Sequence, residues 1–165
     1  DIALIKRDDW EEEGGTRPFR IEAYDVAHLS GTNMVGVMTV VRNQTAWKDG
    51  YRMFKIKTVE GANDPAALKE MLTRRFTHPE WGVPDLVVVD GNKIQIDVAE
   101  KALKEAHLSV PVAAVVKNEK HKARAILGDP AIVELRKNAI ILANAEAHRF
   151  AITYHKKRRG KAFLS

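Results

Sequence analysis

The stretch "PDLVVVDGNK", residues 84–93, sets the problem: four apolar residues, three of them β-branched, run straight into a carboxylate, Asp90. Leu86 to Val89 has no polar alternation and is bounded by Pro84 and Gly91, which predicts a strand covered on both faces. An acid at the C-terminal end of such a strand sits where open α/β sheets collect their chemistry. A plainer reading stands beside this one. Aspartate before glycine is a common turn pair, and Asp90 would then only cap the helix that follows.

Downstream, "KIQIDVAEKALKEAH" (93–107) places Ile94, Val98 and Leu103 near one helix face, and "VPVAAVVK" (110–117) is a second short buried strand. A strand, a helix and a strand in succession predict a parallel pair. "NEKHK" (118–122) is the least structured part of the middle, "ARAILGDPAIVEL" (123–135) reads as a hairpin turning at Gly128, Asp129 and Pro130, and residues 138–159 read as a long final helix. Upstream, "RIEAYDVAHLSG" (20–31) interleaves Ile21, Ala23 and Val26 with polar partners, followed by strands in "MVGVMTVVRN" (34–43) and "YRMFKIKTV" (51–59). Three strands joined by short loops predict an antiparallel meander. "NDPAALKEMLTRRF" (63–76) then starts a helix, with Asp64 as its expected N-cap and Pro65 at the first position.

At 165 residues, 45% hydrophobic and 30% charged, the chain fits one domain with a sizeable core, and it has no internal repeat. The expected division is an attached extension over 1–19 and a single domain over 20–165. The absence of cysteine removes disulfide and thiolate zinc frameworks, the opening residues are too polar for a signal peptide, and no apolar run approaches the roughly 20 residues of a membrane span. A cytoplasmic location is the expectation. Net charge is +5, and residues 148–161 carry Arg149, Lys156, Lys157, Arg158, Arg159 and Lys161 without an acid. That run is either a phosphate-gripping end or a solvated helix terminus.

Asp25 lies within the first expected strand, and Asp90 ends the first strand of the parallel half. Were these strands neighbours, their carboxylates would face one point, and paired carboxylates bind Mg²⁺ or Mn²⁺, hard ions that take oxygen ligands. His148 and His155, seven residues apart, share a helix face, one over the sheet and the other past its edge. His28 and His107 read as ordinary hydrogen-bonded side chains. No zinc-protease motif, serine nucleophile elbow or phosphate-binding loop is present.

The series "RIEAYDVAHLSGTNMVGVM", "YRMFKIKTVEGANDPAALKEMLTRRF", "PDLVVVDGNKIQ" and "EAHRFAITYHKKRR", in this order, resembles the C-terminal nuclease half of UvrC, the incision subunit of bacterial nucleotide excision repair, from about Arg20 to Lys161. The resemblance implies a ribonuclease H-like α/β fold: a mixed sheet of three antiparallel strands followed by parallel strands, flanked by helices. It implies a metal-dependent endonuclease domain that cuts a phosphodiester on the 5′ side of a lesion. It gives Asp25, Asp90 and His148 as catalytic and metal-holding residues, and places Asp64 where that family has another implicated acid. Implied partners are lesion-bearing double-stranded DNA and a UvrB-like subunit, with the domain itself monomeric. The alternative is a catalytically idle module of the same fold that binds nucleic acid or repair proteins. One departure stands out: Asn92 occupies the place where the family usually has a second glycine. Neither the Gly-Ile-Tyr-type nuclease motifs nor a tandem helix-hairpin-helix module of that family occurs within these residues, as expected of an excised domain or a shortened protein.

Overall fold

The computed structural model describes residues 17–29, 33–57, 63–118, 120 and 122–164. The elements, in chain order, are β1 (Arg20–His28), β2 (Met34–Arg42), β3 (Thr45–Ala46), β4 (Arg52–Lys55), α1 (Asp64–Arg75), β5 (Leu86–Asp90), α2 (Lys93–Glu105), β6 (Val112–Lys117), β7 (Ala123–Leu127) and α3 (Pro130–Leu164). The strands form one mixed sheet in which β3 and β4 both pair with β2, and the order continues β2–β1–β5–β6–β7. β1 is antiparallel to β2 and parallel to β5, β6 is parallel to β5, and β7 returns antiparallel to β6. The expected architecture, antiparallel strands followed by parallel ones, is present. The expected third strand is present as β4, and a further short strand, β3, separated from it by a 3-10 turn at Lys48–Gly50, also pairs with β2.

Both faces of the sheet are covered. On one side Tyr24, Met38, Val87 and Val89 pack against Leu68, Met71 and Leu72 of α1 and Ala99 and Leu103 of α2. On the other, Ile21, Ala23, Val35, Val37, Leu86 and Val88 meet Ala139, Ile140, Ala143, Ala147 and Ala151 of α3. Alanines at intervals of four form a narrow stripe of small side chains along one face of α3. Within this packing the Thr39 hydroxyl donates to the Ala143 carbonyl at 2.9 Å, satisfying a buried polar group.

The polar residues interleaved along β1 do not make a solvent face: both faces are enclosed, and Glu22 is buried to 0% exposure. It is accommodated because Arg75 of α1 reaches it, Nε to Oε1 at 2.8 Å and Nη2 to Oε2 at 2.7 Å, a bidentate pair that satisfies both ions. The expected hairpin at 123–135 has only its first arm: after β7, Asp129 accepts from the backbone N–H groups of Ala131 and Ile132, Pro130 opens the helix, and α3 begins about eight residues earlier than the periodicity implied. Its backbone is non-helical at Arg136, whose guanidinium lies 3.9 Å over the Phe19 ring. Finally, the N-cap of α1 is Asn63, whose side chain accepts from the Ala66 N–H at 3.1 Å, so the Asp64 carboxylate is left for another partner.

Of the expected extension over 1–19, residues 1–16 lie outside the described residues. Arg17 is tied to the sheet by Asp85, Nη2 to Oδ1 at 2.6 Å, and the Phe19 N–H donates to Asn43 Oδ1 at 2.8 Å.

Candidate active site

Strand alternation builds the site. Ile21, Ala23 and Asp25 on β1, Leu86, Val88 and Asp90 on β5, and Ala113, Val115 and Lys117 on β6 all fall on the face covered by α3. The first two of each set are core. The third, nearer the C-terminal end of its strand, is charged. Tyr24 pairs with Val89, so Asp25 and Asp90 occupy the next rung of the central parallel pair. The two acids singled out from the sequence are brought together.

The turn after β5 explains the rest of the opening motif. Gly91 has φ +137°, a conformation that a side chain strains, and its N–H donates to the Val115 carbonyl at 3.1 Å. Asn92, in extended backbone, caps α2: its side chain accepts from the Ile94 N–H at 3.0 Å, and Gln95 reaches back to the Asn92 N–H at 2.8 Å. Cap duty therefore belongs to Asn92, and the capping reading of Asp90 is overturned. The Asp90 carboxylate instead receives the Lys117 ammonium at 2.8 Å and the Asn144 amide at 3.2 Å, both on Oδ1. Asn144 stands one helical turn before His148 on α3, and His148 Nδ1 lies 3.7 Å from Asp25 Oδ2.

Asp25 is electrostatically uncomfortable. Burial, reinforced by the charge of Asp90, pushes its carboxyl up to about 6, against the lowering effects of the Val26 N–H, Lys117 and His148. The Val26 N–H donates to its Oδ1 at 2.8 Å. Two oxygen-donor side chains on adjacent strands, one holding a proton more tightly than usual, match the donors that a hard divalent ion accepts, and the imidazole beside them suits Mn²⁺ better than the harder Mg²⁺. Such an ion would offset the burial and the like charge that raise Asp25. Among the described residues, however, no three His, Asp or Glu side chains are gathered into a ready-made metal cage.

An open cavity of about 260 Å³ lies against Asp25, lined also by His28, His148, Ala151 and Ile152. His28 Nε2 meets Asp64 Oδ1 at 2.6 Å, so Asp64, freed from capping, reaches the cavity rim through a histidine that the sequence reading treated as ordinary. Arg149 turns to Glu146, Nε to Oε2 at 2.7 Å, and Glu146 also accepts from the Tyr51 hydroxyl at 2.6 Å. Arg149, with Tyr51, holds the Glu146 carboxyl down to about 2 even though partial burial opposes this. Lys156, Lys157, Arg158, Arg159 and Lys161 continue the backbone of α3, and their side chains, like that of His155, lie outside the described residues.

A profile of the UvrC RNase H endonuclease domain matches residues 13–152. The chain belongs to that family. The UvrABC system protein C of Clostridium acetobutylicum is 38% identical over 170 residues, a match covering 89% of this chain and 27% of that protein. That of Finegoldia magna is 37% identical, covering 94% of this chain and 28% of its own length. The chain thus spans about a quarter of the length of these curated UvrC relatives. Among solved structures, endonuclease V of Ciona intestinalis, in complex with a 23mer DNA containing an inosine, matches with a TM-score of 0.47 and 12% identity over 70% of this chain and 58% of that one. That likeness is too remote to carry an argument.

Lys117, Asn144 and His28 are the site residues that the sequence reading missed. Lys117 was recoverable, since it ends β6 as Asp90 ends β5. Asn144 follows only from the register of α3 over the sheet, and His28 only from the displacement of the cap to Asn63.

Proposed function

We propose that this chain is the catalytic domain of a metal-dependent DNA endonuclease, hydrolysing a phosphodiester on the 5′ side of a lesion in nucleotide excision repair. The observation that carries the reading is the placement of Asp25 and Asp90 on one rung of the central parallel pair, with Asp25 raised to about 6 by burial and by its neighbour. Asp25 and Asp90 would hold Mg²⁺ or Mn²⁺, and His148 would complete the ligand set. When bound, such ions activate a water and stabilise the charge on the leaving oxygen. The protein's own part is positional: β1 and β5 fix the carboxylates, α3 holds Asn144 and His148 over them, and the cavity beside Asp25 gives a phosphate access. His28, braced by Asp64, borders that entry and would orient the backbone arriving there. The basic end of α3, Lys156 to Lys161, would grip phosphates without reading bases. Arg149 would join them only by leaving Glu146.

Membership of the UvrC family supports lesion-bearing double-stranded DNA as the substrate and a UvrB-like subunit as a partner, with the domain monomeric on its own. The folding unit would run over 20–165, with 1–19 as an extension anchored at Arg17. Among the described residues no helix is long and apolar enough to cross a membrane; a cytoplasmic location would follow from a part in the repair of cellular DNA.

Nicking of supercoiled plasmid tests this. Mn²⁺ should support cutting, EDTA should stop it, and Asp25→Asn and Asp90→Asn should each be inactive while still folded. A well-folded wild-type protein that binds DNA but never cuts, with either metal, would favour the idle module instead.

A further inference from the structure

Among the described residues, Lys117 makes the shortest polar side-chain contact to Asp90. Its ammonium lies 2.8 Å from Oδ1, and its side chain is only 17% exposed. The position is built. Between Val116 and Lys117 the β6–β7 ladder shifts register, an irregularity of the kind that re-aims a side chain beside a functional site. Directly after it, the Asn118 side chain accepts from the backbone N–H groups of Lys120 at 2.9 Å and Lys122 at 3.0 Å, and the Asn118 N–H donates to the Lys122 carbonyl at 2.9 Å. The strand end that presents Lys117 is therefore held by hydrogen bonds among Asn118, Lys120 and Lys122.

Both donors to Asp90 converge on one oxygen. Lys117 and Asn144 take Oδ1, leaving Oδ2 without a donor among the described residues. The field of Lys117 extends to the second carboxylate, where it opposes the rise of Asp25. Without such a cation, two carboxylates on adjacent strands would share this rung with, among the described residues, no full opposing charge except a histidine that is charged only when protonated.

We propose that Lys117 is a resident counter-ion: a positioning residue that neutralises Asp90 while the carboxylate pair is free of metal, and that a divalent ion must displace to occupy the pair. This deepens the functional reading and rests on it. An ammonium and a divalent cation cannot share one small carboxylate rung without repelling each other, so the lysine that keeps the empty site stable also weakens the ion that fills it. The same competition keeps Asp90 oriented before metal arrives.

Mn²⁺ affinity by calorimetry, and melting with and without Mn²⁺, test it on the whole chain in the absence of DNA. Lys117→Met keeps the length and removes the charge. It should melt lower than wild type without metal, bind Mn²⁺ roughly tenfold more tightly, as expected for losing a competing charge-assisted hydrogen bond, and regain wild-type melting at saturating Mn²⁺. Lys117→Arg should bind Mn²⁺ within about twofold of wild type, since the charge is kept. Should Lys117→Met not fold, Lys117→Gln should show the same direction. Unchanged Mn²⁺ affinity in the charge-removing variant, or a melting deficit that persists at saturating Mn²⁺, would make Lys117 an ordinary structural residue while leaving the metal reading intact. If wild type binds no Mn²⁺ at all, the metal reading fails and this inference with it.

Discussion

Glu22 and Asp25 stand three residues apart on the same strand, both are withdrawn from water, and their environments push them in opposite directions. Burial alone would raise Glu22, but the Arg75 fork, with Arg20 and the Tyr24 hydroxyl beside it, more than offsets this and holds the carboxyl below its ordinary range. Asp25 faces the other side of the sheet, where its largest influences after burial is a second acid, and it rises to about 6. The difference separates two uses of a buried charge. Glu22 is matched oxygen for donor and serves the fold, whereas Asp25 is left short of positive charge at a cavity open to a ligand. A carboxyl raised by burial and a like charge beside a cavity has the physical signature of a functional site, and the proposed cation would bind there.

The sharpest break in this comparison is catalytic. Asp25→Asn or Asp90→Asn should cost about ten-thousandfold in nicking, roughly 5 kcal/mol of barrier, measured under single-turnover conditions, while leaving the circular dichroism spectrum unchanged. Glu22→Gln should do the reverse, cutting at near the wild-type rate wherever it remains folded. Next in size is the structural side: Arg75→Ala, which strands a buried carboxylate, should lose about 3–5 kcal/mol in urea unfolding. A loss under 1 kcal/mol would mean that Glu22 finds water or another donor.

A smaller effect distinguishes two histidines on α3. His148→Ala should lower nicking by about 10–100-fold, the range seen when a metal site loses an orienting or ligating neighbour, whereas His155→Ala should chiefly weaken DNA binding. The reversed pattern would mean that the register of α3 over β1 is wrong. Least disruptive is the basic end. Replacing Lys157, Arg158 and Arg159 with alanine should weaken binding to all sequences and make the logarithmic salt slope shallower by about 2–3 units, and an unchanged slope would leave that segment a solvated helix terminus.

How much of this was legible in the sequence follows local against long-range information. The unalternating Leu86–Val89 run forecast a doubly covered strand because its pattern is local, and with it the parallel half of the sheet. Glu22 was illegible for the complementary reason: an acid in a strand reads as solvent-facing, and only Arg75, 53 residues further on, makes burial tolerable. The two Asp-Pro pairs show how fine the margin is. In "NDP" the cap falls on Asn63, which releases Asp64 toward His28, and in "GDP" it falls on Asp129, which starts α3 where a hairpin was expected. Asp25 and Asp90 could be nominated from sequence, but their shared rung depends on β1 pairing with β5 across residues 29–85, which periodicity cannot reveal.

The central claim, that Asp25 is kept at a cost until a cation arrives, is tested most directly by stability against pH without DNA. The Asp25 carboxyl sits at about 6 in the folded chain against an ordinary 3.8, so the folded state holds the proton more tightly, and metal-free stability should fall as pH rises from about 4 through 6. Asp25→Asn removes that penalty. In EDTA it should be more stable than wild type at pH 8, by up to about 3 kcal/mol at 1.36 kcal/mol per unit, with the difference gone below about pH 4. Saturating Mn²⁺ at pH 8 should close the gap by stabilising wild type and leaving Asp25→Asn nearly unmoved. A variant less stable than wild type at pH 8 in EDTA, or one that gains as much from Mn²⁺ as wild type does, would contradict the account.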